Sequence, residues 1–298
     1  MDFEKLNDLK ISDDFDGHGG DYRDIRINGD ADINGDTNCR SFTISGDADI
    51  SGSINCEMDM KVNGDGTFKS AIIRCGTLKV AGDIDCNGDI DIKGSFTVYG
   101  DADFEGNTAC ERIKVMGDID QQGNMNVIDT VEIMGDAAFS EGIKAGDIKI
   151  YGDIEKSRYV KGKNISIYGD LCVQGDVEGE KIAVKGDTDC DGLINGEEIY
   201  LDAYNDHRVK EIGGKIIRIT VGGEKGLKLF SMFSGSKYGK GLRCKCIEGD
   251  DIELWNTKAD MVRGKRVVIC NECVIEKVEY SGVLIIEGNG IVKESIRI

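Results

Sequence analysis

The chain has 298 residues, 40% of them apolar, with 41 Gly, 11 Cys, 2 His, no Pro and a formal charge of −19. No stretch approaches the roughly 20 apolar residues of a membrane helix, and the opening MDFEKLNDLK lacks the order of a secretory signal, so membrane insertion and export are not expected. Residues 1–202 carry 20 basic against 43 acidic side chains, net −23, and residues 203–298 carry 17 against 13, net +4; a body this acidic repels nucleic acid and anionic lipid.

Eleven cysteines in a chain that is not exported read as reduced thiols, and the expected location is cytoplasmic. The missing proline is the most unusual feature, since about 15 would be ordinary. Strands that hydrogen-bond on both sides tolerate few of them.

Taken in order, residues 1–24 read as a flexible leader or N-terminal cap. Residues 25–201 are a repeat. A Gly-Asp pair recurs at Gly29, Gly46, Gly64, Gly82, Gly100, Gly117, Gly135, Gly152, Gly169 and Gly186, in steps of 17 or 18 residues. The positions four and two residues before each Gly are apolar, from Ile25/Ile27 and Phe42/Ile44 to Ile165/Ile167 and Ile182/Val184. Alternation with period two means a strand with one buried face. Ten such strands, each ended by a residue that tolerates positive φ, predict the coils of an all-β parallel solenoid.

Side chains two and four residues after each Gly should also point inward, and their volumes are traded. Ala31/Ile33, Ala48/Ile50, Gly66/Phe68, Ala102/Phe104 and Ala137/Phe139 run small then large; Ile84/Cys86, Ile119/Gln121 and Ile154/Lys156 run the other way. A narrow close-packed core requires this. Lys156 is too polar to bury, so its coil is expected to bulge. A weaker six-residue beat, as in GDIDCN-GDIDIK-GSFTVY, gives three short faces per turn and a triangular cross-section. At about 4.8 Å per coil the ten coils would extend roughly 45–50 Å.

Residues 202–241 read as an irregular segment, with a mobile basic loop in GGEKGLKLFSMFSGSKYGKG. Strand character returns in DIELW, KRVVICN and GVLIIEG, so 242–298 is read as further, less regular coils.

Several motifs invite chemistry. Asp187, Asp189, Asp191, Gly192, Ile194 and Glu198 match the EF-hand calcium loop, but strand patterns flank them where helices are needed, and the match is read as a by-product of the Gly-Asp repeat. Cys244/Cys246 and Cys270/Cys273 have the donor types of a zinc site; small apolar residues in a strand core are the plainer reading. The recurrent Asp is read as capping its own turn by accepting backbone N–H groups, with a bound divalent cation as the alternative. His18 and His207 lie where no hexapeptide-type catalytic His is expected. No catalytic residue, metal site or cofactor is assigned. The residue before each Gly should point outward, and from the fifth coil it reads Tyr99, Met116, Met134, Tyr151 and Tyr168. Five large side chains in register make a candidate interaction stripe; a self-stacking ladder that only stiffens the coils is the competing reading.

The strings RINGDADINGD, FTISGDADISGSINC and IAVKGDTDCDGLINGEEI resemble the bactofilins, bacterial polymer-forming cytoskeletal proteins. The ending IEGDDIELWNTKADMVRGKRVVICNECVIEKVEYSGVLIIEG is similar to the tail of a longer Firmicute-type member, with Cys270 where the family places Gly. The resemblance implies a right-handed triangular β-helix and nucleotide-independent assembly end to end. The expectation is therefore a non-enzymatic scaffold that self-associates through terminal coils and side surfaces, with other proteins as further partners. The alternative is a calcium- or ligand-binding solenoid that uses its acidic turns.

Overall fold

Alternating apolar residues 17 or 18 apart can all be buried at once only if successive turns of chain lie on one another in register. The computed structural model, which describes residues 2–69, 72–203, 206–221 and 241–298, has this arrangement. Among those residues the one helical element is a single 3-10 turn, Phe3–Lys5, and the rest of the regular structure is strand. The strand pairings are parallel throughout, as expected of a β-solenoid. The chain divides into two compact units, Met1–Tyr151 and Gly152–Ile298.

In the first unit the register carries the repeat directly. Met60 lies beside Leu78, Leu78 beside Phe96, Phe96 beside Ile113 and Ile113 beside Val131. All five are buried, as are the residues two positions on, Val62, Val80, Val98, Val115 and Ile133. The volume exchange has a second dimension that the sequence reading missed. Gly66, Ile84, Ala102, Ile119 and Ala137 form one column, and Phe68, Cys86, Phe104, Gln121 and Phe139 form its neighbour. Small and large therefore alternate up the stack as well as within each coil, so each Phe lies between smaller residues in its own column. A Cβ added at Gly66 would stand 2.7 Å from the Phe68 ring, which occupies that space. Buried Gln121 is satisfied: it accepts from Thr108 Oγ1 at 2.7 Å and donates Nε2–H to the Gly106 carbonyl.

The N-terminal segment, expected as a flexible leader or cap, contains two strands that pair with the first coils. Leu9–Ile11 pairs with Asp24–Ile27, and Phe15–Asp21 pairs with Ala31–Cys39. The segment escaped notice because the turn below Gly29-Asp30 is Asp13-Asp14 and its one Gly-Asp pair, Gly20-Asp21, is out of step with the repeat, although Phe15/Gly17 supplies the same large–small inward pair.

In the second unit the early coils continue the pattern. Ile165 lies beside Ile182, and Ile182 beside Ile199. The coil at Lys156 bulges as expected: the register shifts between Ile154 and Ser157, Lys156 is exposed, and buried Ser157 takes the inward place and donates to the Tyr159 carbonyl at 2.8 Å. Within the stretch read as irregular, Asp206–Thr220 is a strand paired on both sides. Its register rests on a different glycine column, in which Gly179, Gly196, Gly214, Gly249 and Gly264 are successive neighbours. A search keyed to Gly-Asp does not see it. Ile217 and Ile252 are likewise neighbours; residues 222–240, the expected basic loop, lie outside the described residues. Gly241–Leu254, Thr257–Ile269, Val274–Ile286 and Ile291–Arg297 follow as long parallel strands.

Candidate interaction surfaces

The Gly-Asp turns are built differently from the expected cap. Each Asp accepts the backbone N–H of the corresponding Asp in the next coil, not one in its own turn. Asp30 Oδ1 accepts from Asp47 N–H at 2.9 Å, Asp47 from Asp65 at 2.8 Å, Asp65 from Asp83 and Asp83 from Asp101 at 2.9 Å, and Asp101 from Asp118 at 2.8 Å. In the second unit Asp153 accepts from Asp170 at 2.7 Å and Asp170 from Asp187 at 2.6 Å.

This ladder also explains the glycine. Among the described residues the glycines with positive φ are Gly20, Gly35, Gly52, Gly142, Gly241 and Gly288, none of them in the Gly-Asp column. The column needs glycine for another reason. A Cβ at Gly100 would collide with Asp83 Oδ1 and stand 2.8 Å from the Gly82 backbone, and equivalent collisions occur at Gly64, Gly82 and Gly117. The carboxylate of one coil occupies the space a side chain in the next would need.

The calcium-loop match lies on the strand Thr188–Asp202 and the residue before it. Asp189 is held by Arg208 through two nitrogens at 3.0 and 3.1 Å, and Glu198 accepts from Tyr200 at 3.2 Å. Among the described residues no group of three or more His, Cys, Asp or Glu is placed to hold a metal ion. Cys244, Cys270 and Cys273 are buried and Cys246 is half-buried. The thiols of Cys244 and Cys273 point at the backbone carbonyls of Cys246 and Leu254. Burial pushes the Cys244 thiol up to about 12 and that of Cys273 to about 11, the opposite of a thiolate poised for a metal. Cys172 is exposed, while nine of the eleven thiols are buried. His18 is exposed on the strand Phe15–Asp21. His207 is buried, and its Nδ1 accepts the Thr188 N–H at 2.9 Å.

The outward positions before the glycines are exposed. In the first unit Tyr99 is 51% exposed, and Met116, Met134 and Tyr151 follow at 41, 38 and 36%; in the second unit Tyr168 is 40% exposed. The aromatic members carry an ammonium group over the ring: Lys79 lies 4.8 Å from the Tyr99 centroid, Lys149 4.8 Å from Tyr151 and Lys185 4.1 Å from Tyr168. Each is within cation–π range. Each of these rings thus has one ammonium group over a face and is not bare hydrocarbon.

Stacked parallel coils with Gly-Asp turns at a 17–18-residue interval are a specific arrangement, and a family match coincides with it. Residues 25–126 match the bactofilin family, described as polymer-forming cytoskeletal. The bactofilin match spans twelve of the buried inward pairs, from Ile25/Ile27 to Ile119/Gln121, and the carboxylate ladder from Asp30 to Asp118. A Bacillus subtilis (strain 168) protein described as "Uncharacterized protein YhbE" is 61% identical over 41 residues, which is 14% of this chain and 17% of that protein. No solved structure matches the chain. Among the described residues no helix is long and apolar enough to cross a membrane.

Outward charges were not read as columns from the sequence. Asp85, Asp103 and Asp120 are direct cross-strand neighbours in the first unit, and Arg208, Arg243 and Lys258 are direct neighbours in the second. The signal was available as the third residue after each Gly, which reads Asp in five of the first six coils from Gly29.

Proposed function

We propose that this chain is a cytoplasmic, polymer-forming scaffold whose working parts are its surfaces. The observation that carries the reading is the bactofilin match over residues 25–126 on a chain built of parallel stacked coils. Each coil satisfies its backbone groups by pairing with the coils on either side, so an end coil that lacks a neighbour offers backbone donors and acceptors to another copy. The second contact is lateral, through Tyr99, Met116, Met134, Tyr151 and Tyr168. These side chains are exposed enough to meet a partner, and the aromatic ones combine an apolar ring with a polar hydroxyl. The calcium-binding alternative is less favoured, because one oxygen of each ladder carboxylate already serves a backbone N–H.

Sedimentation velocity across a concentration series, with calcium and with chelator, tests this. Species larger than a monomer should form in both conditions. Replacing Tyr151→Ser and Tyr168→Ser should reduce lateral association and leave the folded signal unchanged. A monomer at every concentration would contradict the scaffold, and unaltered association of the double variant would remove the stripe.

A further inference from the structure

Like charges placed directly opposite on neighbouring strands repel, yet this chain stacks carboxylates at Asp16–Asp32–Asp49 and at Asp85–Asp103–Asp120 in the first unit and cations at Arg208–Arg243–Lys258 in the second; Asp49 of the first set is taken up by Lys69. In the first unit Asp85, Asp103 and Asp120 stand one per coil, exposed, and none forms an ion pair among the described residues. The environment registers the conflict: partial desolvation, then Asp120 and Asp85, push the Asp103 carboxyl above its ordinary value.

In the second unit Arg208, Arg243 and Lys258 stand in a column of the same kind, with exposed Lys210 and Lys245 beside it. Arg208 is shared with Asp189 and Asp191. Among the described residues Lys210, Lys245 and Lys258 form no ion pair. Asp260 and Glu276 border the patch, and Glu276 is taken up by Lys293 at 2.7 Å. The cations line a shallow groove of about 510 Å³. Both columns place one charge per coil at about the same 4.8 Å rise, so a row of carboxylates and a row of cations from two molecules are commensurate.

We propose that the carboxylate column Asp85–Asp103–Asp120 of one copy docks against the cationic column Arg208–Arg243–Lys258 of a second copy. The inference rests on the self-association reading and specifies its chemistry. Each column relieves the repulsion inside the other, and the equal rise selects an in-register, side-by-side contact over a random one. Rim charges of this kind set register and partner choice more than raw affinity.

The test is a charge exchange read by sedimentation velocity at low salt. One full-length variant carries Asp103→Lys and Asp120→Lys, the other Arg243→Glu and Lys258→Glu. Each alone should self-associate at least about tenfold more weakly than the original chain, and mixing the two should restore association, because reversed columns then face each other. The restoring mixture also shows that both variants are folded. Raising the salt to about 1 M, where the Debye length falls to about 3 Å, should weaken the original chain's contact. Variants that associate like the original chain, or a mixture that stays dissociated, would overturn the proposal while leaving the scaffold reading intact. An original chain that is monomeric throughout overturns both.

Discussion

Phe104 shows how strictly the interior is specified. It is fully buried, it lies between Cys86 and Gln121 in its column, and its ring centroid is 5.6 Å from that of Phe96. Its neighbours above and below are small or hydrogen-bonded elsewhere, so none can swing in to fill a void. Phe104→Ala is expected to lose about 3–5 kcal/mol, the range for aromatic truncation where collapse is blocked. Chemical denaturation measures this, and a loss under about 1 kcal/mol would mean the column is not packed as described. The trade of volume within a coil was legible in the sequence because both residues lie two apart along the chain. The alternation between coils was harder to see, since the partners are 17 or 18 residues apart and become neighbours only once the register is known. The Gly before each Asp was legible as a requirement, but its reason was not. A positive φ is a local property that sequence can suggest, whereas a carboxylate arriving from the preceding coil is a contact only the register reveals.

At the scale of one turn, the carboxylate ladder makes a claim about hydrogen bonding that is separable from charge. Asp83 Oδ1 accepts the Asp101 N–H at 2.9 Å. An amide oxygen can do the same, and the second turn of the coil already uses one: Asn107 Oδ1 accepts the Asn124 N–H at 3.0 Å, just as Asp89 accepts from Asn107 at 2.8 Å. Asp83→Asn should therefore leave thermal stability nearly unchanged, while Asp83→Ala should cost about 1 kcal/mol for the lost acceptor. Equal losses in the two variants, or a loss for Asn that calcium modulates, would point to cation binding instead. The coil Asp206–Thr220 marks the limit of reading elements from a motif. Its inward residues Ile212, Ile217 and Ile219 are as regular as any, but no Gly-Asp pair immediately precedes it, and its Gly213-Gly214 aligns with Asn195-Gly196 at another position of the coil. Strand periodicity carried the signal there, and turn chemistry hid it. The bulge at Lys156 was legible because a charge at an inward position has only one resolution, which is to shift the register until a residue like Ser157 can take its place.

For the molecule as a whole, the same backbone pairing that holds one coil on the next is the means by which one chain could extend another. The chain carries no Pro, and parallel strands in both units pair with neighbours on either side. Interiors of this kind are stabilised by neighbour-on-neighbour stacking, so growth by added coils uses no new chemistry. In the proposed scaffold, side surfaces choose how chains lie together, through the ring-and-ammonium positions at Tyr99, Tyr151 and Tyr168 and through the proposed pairing of charge columns. The exposure of these positions was legible from phase alone, because the residue before each Gly is out of step with the buried face. The lysines over the rings were not, since they come from different offsets: Lys79 from the preceding coil, Lys149 from the same one, Lys185 from the next. Electron cryomicroscopy of the concentrated full-length chain tests the central claim most directly. Filaments whose computed diffraction has a meridional repeat at about 4.8 Å are the predicted result, and either dispersed monomers at every concentration or filaments without that repeat would contradict the account.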